Sequence, residues 1–428
     1  EAASYVLATH DDPELKARVD DVIELVAAAQ DENGYLNTYF TLEEPDARWT
    51  NLYMMHELYC AGHLIEAAVA HHRATGKTSL LEVATAFADH VDGVFPEAVD
   101  GVPGHEEIEL ALVALARVTG ERRYVDLAEY FVDLRGRDDR LRWELEHVEE
   151  IAGYDPDEEH GGIAGNARRA FYEGGDYETG AYDGSYAQAH APFLEQEAVD
   201  GHAVRAMYYC CGVADVAAET GREELLAHLE TLWENVATKR TYVTGGIGST
   251  EHGERFTEDY DLPNATAYAE TCAAIGSVFW NRRLFELTGD ARYADLIERT
   301  LYNAVLAGVS LDGTAFFYDN RLASDGSHTR EGWFDCACCP PNVARLLAQL
   351  ERYVYAADGR DLYVTQYVGS TATLDIGGTE VAVEQSSEFP WSGEVTIDVS
   401  AAEPTGATVH LRVPEWCEAA TVRGNGEA

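Results

Sequence analysis

Apolar residues recur at helical spacing through roughly the first 350 positions of the chain. Asp12 and Pro13 open the first of these stretches with a helix-capping residue and a proline that suits a first turn. Its apolar face continues to about Gln30 and stops before Gly34. A second stretch covers residues 52–74, and a third follows it directly. The pattern predicts amphipathic helices that each pack one face on a core.

Threonine–glycine pairs separate consecutive helical stretches. Glycine ends a helix readily, because it adopts the left-handed conformation without strain. Another amphipathic stretch follows each pair without an intervening strand, which predicts about ten long helices joined as hairpins. Uneven spacing and long insertions favour a closed (α/α)6 toroid over an open solenoid. The pairs are Thr75-Gly76, Thr119-Gly120, Thr220-Gly221 and Thr288-Gly289.

Two regions depart from the helical pattern. Residues 155–190, rich in Gly, Asp and Tyr, are typical of a long functional or mobile loop. After Gly359, short runs alternate or are β-branched, so we predict a toroid over residues 1–358 and an all-β sandwich over residues 359–428. The sandwich looks incomplete and no methionine starts the chain, so we expect both ends to be trimmed. Strands are expected at residues 361–367, 371–376, 380–385, 394–399 and 408–413.

The charge of the chain limits its partners. Acidic residues number 77 against 30 basic ones, which gives a formal net charge of −47. Nucleic acid is excluded as a partner, because phosphate contacts need basic patches. Concentrated salt would relieve the self-repulsion, so we infer a salt-adapted source of the haloarchaeal type. We therefore attribute the excess of acidic residues to adaptation to a salty solvent rather than to the chemistry of the substrate.

Hydropathy and cysteine content indicate in which cellular compartment the protein works. The sequence has no run of about 18 apolar residues, so it predicts no membrane-spanning helix. The eight cysteines are sparse and are not spaced like a disulfide framework. This usage fits a reducing, cytoplasmic compartment.

Three cysteines fall within four positions, directly before a helical pattern that begins near Pro341. They are Cys336, Cys338 and Cys339. A helix start favours thiolate over thiol, because unpaired N–H groups and the positive end of the helix dipole face it. Adjacent cysteines seldom form a disulfide, whereas neighbouring thiolates can share a cation such as zinc. A buried, inert cluster is the alternative, but the spacing favours metal binding or nucleophilic chemistry.

A carboxylate and a thiol open another helical stretch, at Glu270 and Cys272. The ordinary alternative is that Glu270 complements the helix dipole and Cys272 packs in the core. Together with Cys338 and Cys339, they could form a closed set of one carboxylate and three thiolates with zinc-like ligand chemistry. A glycine-rich loop at residues 244–249 lies upstream, and it lacks the lysine of a phosphate-binding motif.

Three histidines stand at or near predicted helix starts, at His56, His105 and His202. In a toroid the starts of the inner helices can converge on a central funnel. A histidine at a helix end more often caps or packs, so each alone is a weaker candidate than the cysteines.

Five separated motifs, in one order, resemble glycoside hydrolase family 127, the β-L-arabinofuranosidases that use zinc and a cysteine nucleophile. The resemblance covers nearly the whole chain and also includes residues 201–205. The motifs are residues 244–249 with Gly253-Glu254, residues 260–264, Glu270-Thr271-Cys272, residues 310–313 with Tyr318, and residues 333–342.

The resemblance implies a retaining glycosidase that hydrolyses β-L-arabinofuranosides, with zinc as cofactor and a small-molecule or oligosaccharide substrate. Cys338 would be the nucleophile and Glu254 the general acid/base. The implied zinc ligands are Glu270, Cys272, Cys338 and Cys339. The implied sugar contacts are His56, His105, His202 and Tyr318.

Departures from the family pattern leave alternatives open. The chain begins inside the family's domain, so we expect the first part of the toroid to be absent, and Asp335 stands where a small residue is expected. One alternative is a metal-independent toroid enzyme, of the unsaturated-uronide hydrolase or epimerase type. Another is a carbohydrate-binding or scaffold protein with a structural zinc site, which would be closed and buried. The sequence also leaves open whether the chain forms a homodimer.

Overall fold

The computed structural model describes residues 1–147, 182–403 and 406–424. Most of the loop expected at residues 155–190 lies outside these ranges. Within them, thirteen α-helices are followed by six β-strands. None of the described helices combines the length and the apolar character needed to cross a bilayer.

The helices and strands are numbered here in chain order. The helices are α1 (Ala2–Thr9), α2 (Pro13–Ala28), α3 (Thr38–Leu42), α4 (Glu57–Thr75), α5 (Ser79–Val94), α6 (Ile108–Thr119), α7 (Arg123–Leu134), α8 (Arg140–Glu146), α9 (Ala203–Thr220), α10 (Glu223–Lys239), α11 (Thr271–Thr288), α12 (Ala291–Thr300) and α13 (Cys339–Leu347). The strands are β1 (Tyr355–Asp358), β2 (Asp361–Val364), β3 (Ser370–Ile376), β4 (Thr379–Ser387), β5 (Val395–Ala401) and β6 (Thr408–Leu411).

Six of the helices form a closed ring. In order around it, α1 packs on α4, α4 on α6, α6 on α9, α9 on α11, α11 on α13, and α13 returns to α1. Each of the first five ring helices also packs against the next long helix in the chain, namely α2, α5, α7, α10 or α12. The predicted (α/α)6 toroid is confirmed.

The helix ends follow the glycine signals. Gly76 and Gly221 adopt left-handed conformations, with φ of 71° and 69°, which a residue with a side chain rarely takes. Helices α4, α6, α9 and α11 all end at the predicted threonines. One start differs, because α4 begins at Glu57 rather than at residue 52. His56, with φ of 56°, caps α4 in a left-handed conformation that a helix cannot continue through.

The carboxyl-terminal part forms a partial β-sandwich, as predicted. One sheet has the order β1-β2-β6, with β2 and β6 parallel, and the other has the antiparallel order β3-β4-β5. A small core joins them through Leu362, Ile376, Val381 and Val383. The first strand, β1, was not predicted and begins ahead of residue 359. It is short and half-buried, so it carries little alternation for the sequence to show.

Buried polar contacts fix the β-sandwich to the toroid. The guanidinium of Arg412 forms ion pairs with Asp295 and Glu298 of α12, and its side chain is almost fully buried. Trp416 Nε1 donates to the same Glu298 carboxylate at 2.8 Å. These contacts hold the β-sandwich against one side of the ring.

Candidate active site

A cavity of about 960 Å³ opens where the ring helices begin. The capping residues of α4, α9, α11 and α13 line it, as does His105 three positions before α6, so the helix starts converge as the sequence suggested. Cys339 is fully buried beside Cys338 and does not itself line the cavity. The lining includes every other predicted site residue: His56, His105, His202, Glu254, Glu270, Cys272, Tyr318 and Cys338.

The four predicted metal ligands meet on one side of this cavity. Glu270 caps α11, Cys272 lies in its first turn, and Cys338 caps α13. The Sγ atoms of Cys272 and Cys339 are 3.4 Å apart, and those of Cys338 and Cys339 are 3.8 Å apart. Oε1 of Glu270 lies 3.7 Å from the Sγ atoms of both Cys338 and Cys339. Two helix starts therefore bring three thiols and one carboxylate into contact.

The donor set fits a cation. One ligand atom from each of the four residues lies within 4.8 Å of all the others, the span of a compact coordination shell. Oε2 of Glu270 is buried without a hydrogen-bond partner among the described residues, which is costly unless another group satisfies it. Thiolates with one carboxylate are ligands that zinc accepts. The cluster could therefore hold a metal ion.

The electrostatics of the cluster agree with this fit. Burial, with Glu254 and Cys338 nearby, raises the pKa of Glu270 well above its ordinary value. Burial would also raise the pKa of Cys272, but hydrogen bonds from Cys338 and Cys339 lower it to about 7. Burial and the two neighbouring thiols raise the pKa of Cys339. A bound cation would relieve the cost of ionising so many adjacent groups.

Glu254 lies in a short turn, His252–Glu254, between the glycine loop and α11. His202 Nε2 contacts its Oε2 at 2.8 Å, and the Tyr268 hydroxyl donates to its Oε1 at 3.0 Å. A carboxylate oxygen of Glu254 lies within 4.8 Å of one of Glu270, which places it beside the thiol cluster. Two polar partners thus hold the carboxylate in the cavity wall.

The glycine loop at residues 244–249 is structural. The N–H of Ala269 donates to the Gly248 carbonyl at 2.7 Å, which ties the loop to the segment just before Glu270. A side chain on Gly245 would collide with Thr300, which would lie 2.4 Å from its Cβ. The loop therefore makes a tight backbone approach to the site rather than a phosphate cradle.

The three predicted histidines form a neighbouring row. Ring centroids are 5.9 Å apart between His56 and His105, and 5.8 Å apart between His105 and His202. Burial lowers the pKa of all three, that of His56 to about 4, which favours the neutral imidazole. Nδ1 of His56 contacts the Met54 carbonyl and Nδ1 of His105 contacts the Glu106 carbonyl. Nε2 of each is then the unprotonated nitrogen that can accept from a hydroxyl.

The sequence did not single out several other residues that line the cavity. His63 follows His56 by seven positions, so helical periodicity could have placed it on the same face of α4. Tyr59, Arg205, Tyr208 and Asn342 give no distinguishing signal, because aromatic and polar residues at such positions usually pack. Asp335, which departs from the expected family pattern, also lines the cavity.

The fold and the site together define a class, that of (α/α)6 toroid proteins with a cavity lined by thiols and carboxylates where the ring helices begin. The chain belongs to glycoside hydrolase family 127. Residues 1–352 match the model of the GH127 β-L-arabinofuranosidase catalytic domain, and residues 361–428 match that of the GH127 middle domain.

Characterised and solved relatives agree with this assignment. The non-reducing end β-L-arabinofuranosidase of Bifidobacterium longum subsp. longum is 40% identical over all of this chain and 65% of its own length. The crystal structure of a GH127 β-L-arabinofuranosidase from Geobacillus stearothermophilus T6 is 45% identical with a TM-score of 0.88, and the match covers 100% of this chain and 66% of that one. A second solved GH127 β-arabinofuranosidase is 40% identical with a TM-score of 0.83, and covers 97% and 60%. The chain thus spans less than two thirds of the length of these relatives.

Proposed function

We propose that this chain carries the catalytic centre of a retaining exo-glycosidase that hydrolyses β-L-arabinofuranosides. The observation that supports it most is that Cys338 and Glu254 line one cavity. Glu270 lies next to both, 3.7 Å from the Cys338 sulfur and within 4.8 Å of a Glu254 oxygen. The names of the relatives, β-L-arabinofuranosidases, supply the substrate class.

In the first step, the Cys338 thiolate attacks the anomeric carbon of the sugar while Glu254 donates a proton to the glycosidic oxygen. The carbon–oxygen bond breaks, the alcohol leaves, and the sugar stays bound to sulfur. The contacts of Glu254 with His202 and Tyr268 orient its carboxyl group for this transfer. The cavity that both groups line would hold the sugar in reach of them.

In the second step, Glu254 takes a proton from a water molecule, which attacks the same carbon. The carbon–sulfur bond breaks, and Cys338 leaves as the thiolate. Two inversions at one carbon give net retention of the anomeric configuration. The same carboxyl group therefore acts as acid and then as base, as the proton balance of the two steps requires.

We propose zinc as the metal, held by Glu270, Cys272, Cys338 and Cys339. When bound, zinc would keep the Cys338 sulfur ionised and make it a better leaving group. The unpartnered Glu270 oxygen and the three thiols within reach of one ion support this assignment. Cys338 is only partly buried and faces the cavity, which favours a catalytic site over a closed structural one.

We propose that the neutral imidazoles of His56 and His105 accept hydrogen bonds from sugar hydroxyls, with His202 and Tyr318 completing the wall of the sugar site. These four residues line the same cavity as the two reacting groups.

The eight cysteines form no disulfide within the described residues, which supports a reducing, cytoplasmic setting.

A panel of aryl glycosides in molar salt tests the proposal. We expect hydrolysis of the aryl β-L-arabinofuranoside, with the first-formed sugar in the β configuration by NMR. Release of the α anomer first would rule out a retaining mechanism. Activity confined to a different glycoside would change the proposed substrate and leave the proposed mechanism in place.

A further inference from the structure

A second cluster of metal-ligating side chains lies apart from the thiols, between α4 and α6. It comprises His63, Glu66 and Glu107, and one ligand atom from each lies within 4.8 Å of the other two. His63 and Glu66 lie three residues apart on α4, and Glu107 caps the start of α6. Residues three apart on a helix share a face, so the two helices present all three groups to one point.

The carboxylate of Glu107 is the reason to expect a ligand there. Its side chain is fully buried, and neither oxygen has a hydrogen-bond partner among the described residues. Its polar neighbours are His63, whose Nδ1 lies 3.1 Å from Oε1, and Glu66, whose carboxyl group is close enough to share a proton with Glu107 in the absence of a cation. An ionised carboxylate in this position needs a cation or a proton to offset the cost of burial.

The packing fixes the carboxylate in place. A side chain on Gly62 would meet Cγ of Glu107 at 2.7 Å and its carbonyl carbon at 2.9 Å, so α4 and the start of α6 touch at this glycine. Glycine at this position lets Glu107 reach the face of α4 that carries His63 and Glu66. The three groups are therefore brought together by backbone contact rather than by flexible side chains.

The local charge leaves room for a cation. Arg345 donates to Glu66 at 2.7 Å and to Glu1 at 3.1 Å. One guanidinium thus faces three carboxylates, those of Glu1, Glu66 and Glu107, and its single charge offsets only one of them. His63 lines the large cavity, which gives an ion a route to the cluster.

We propose that His63, Glu66 and Glu107 form a second cation site, distinct from the thiol cluster, that takes a divalent first-row transition metal. One imidazole with two carboxylates suits zinc, manganese or cobalt. Paired helices that carry a carboxylate and a histidine three residues apart build such sites in other bundles. The bound ion cross-links α4 to α6 beside the floor of the cavity.

Cobalt binding to the metal-free protein in molar potassium chloride tests the site. Cobalt bound by thiolates gives a sulfur-to-metal charge-transfer absorption, whereas cobalt bound by nitrogen and oxygen does not. We expect two equivalents per chain by elemental analysis, one of which adds no charge-transfer absorption. His63→Gln and Glu107→Gln should each reduce the total to one and keep the thiolate absorption. Cys272→Ser should weaken that absorption and keep the second equivalent.

Glu43→Gln is the matched control, because it removes an exposed carboxylate and should leave two equivalents. If Glu107→Gln fails to fold by circular dichroism, His63→Gln decides, since its side chain is 32% exposed and tolerates replacement. One equivalent in the unchanged protein overturns the proposal and leaves a proton shared between Glu66 and Glu107. Two equivalents retained in both variants overturn it as well.

Discussion

The Cys338 thiol donates a hydrogen bond to the Tyr318 hydroxyl at 3.2 Å. Once the thiol ionises, the hydroxyl becomes the donor and the sulfur the acceptor. The backbone carbonyl of Tyr318 also accepts from the N–H of Thr271 at 2.9 Å, which joins this tyrosine to the first turn of α11. One residue therefore aligns the proposed nucleophile with the helix that carries two of its neighbours.

Tyr318→Phe should lower kcat/KM by about 10- to 100-fold, because a hydrogen bond to a charged group contributes roughly 1.5–3 kcal/mol. The measurement is steady-state hydrolysis of an aryl β-L-arabinofuranoside. Tyr302→Phe is the control, since Tyr302 packs on Phe389, does not line the cavity and should leave the rate unchanged. Equal rates for Tyr318→Phe and the unchanged protein would remove this contact from the mechanism.

Glu254→Gln should reduce kcat/KM by about 10²- to 10⁴-fold for a poor leaving group, the usual contribution of general acid catalysis. The loss should shrink for an activated leaving group, which departs without a proton. Glu251→Gln removes an exposed carboxylate three positions earlier and should leave kcat/KM unchanged. A loss that is the same for all leaving groups would assign Glu254 a role in binding instead.

Stability should fall in acid because of His56. Burial lowers its pKa from 6.5 to about 4, so between these values the unfolded chain binds a proton that the folded chain does not. Its contribution is fully present above pH 6.5 and is lost as the pH falls toward 4, with a slope of at most about 1.4 kcal/mol per pH unit. The melting temperature of His56→Gln should depend less on pH over this range. His10→Gln, at an exposed position, should follow the unchanged protein.

Arg135→Met should destabilise the fold by about 3–5 kcal/mol, because it leaves buried carboxylates without their cation. The Arg135 guanidinium is fully buried and pairs with Glu106 at 2.9 Å and Glu109 at 3.2 Å. Arg18→Met breaks an exposed pair with Glu14 and should cost under about 1 kcal/mol. Denaturant unfolding measures both. Similar losses for the two variants would show that the buried pairs are worth no more than the exposed one.

Local signals explain how much of the fold the sequence could predict. Left-handed glycines after Thr75 and Thr220 mark helix ends through a backbone preference that does not depend on the rest of the chain. The start of α4 was placed too early, because residues 52–56 are as apolar as the helix that follows. The half-buried strand β1 gave no alternation and was missed.

The same distinction, between local sequence signals and long-range contacts, separates the site residues that could be predicted from those that could not. Helix starts and reactive side chains are visible in sequence, so Cys338, Cys339, Glu270 and Cys272 could be grouped before their contacts were known. Tyr268, which holds Glu254, could not be predicted, since tyrosine at such a position usually packs. Long-range neighbours such as His63 and Glu107 become visible only when α4 and α6 are seen to touch.

The most direct test of the central claim is peptide mapping by mass spectrometry of Glu254→Gln treated with an activated aryl β-L-arabinofuranoside. An activated leaving group permits the first step without an acid, and loss of the base slows the second. We predict that one pentosyl unit accumulates on the peptide that contains Cys338, and that Cys338→Ser abolishes both the adduct and turnover. An adduct on another residue, or full turnover by Cys338→Ser, would contradict the account.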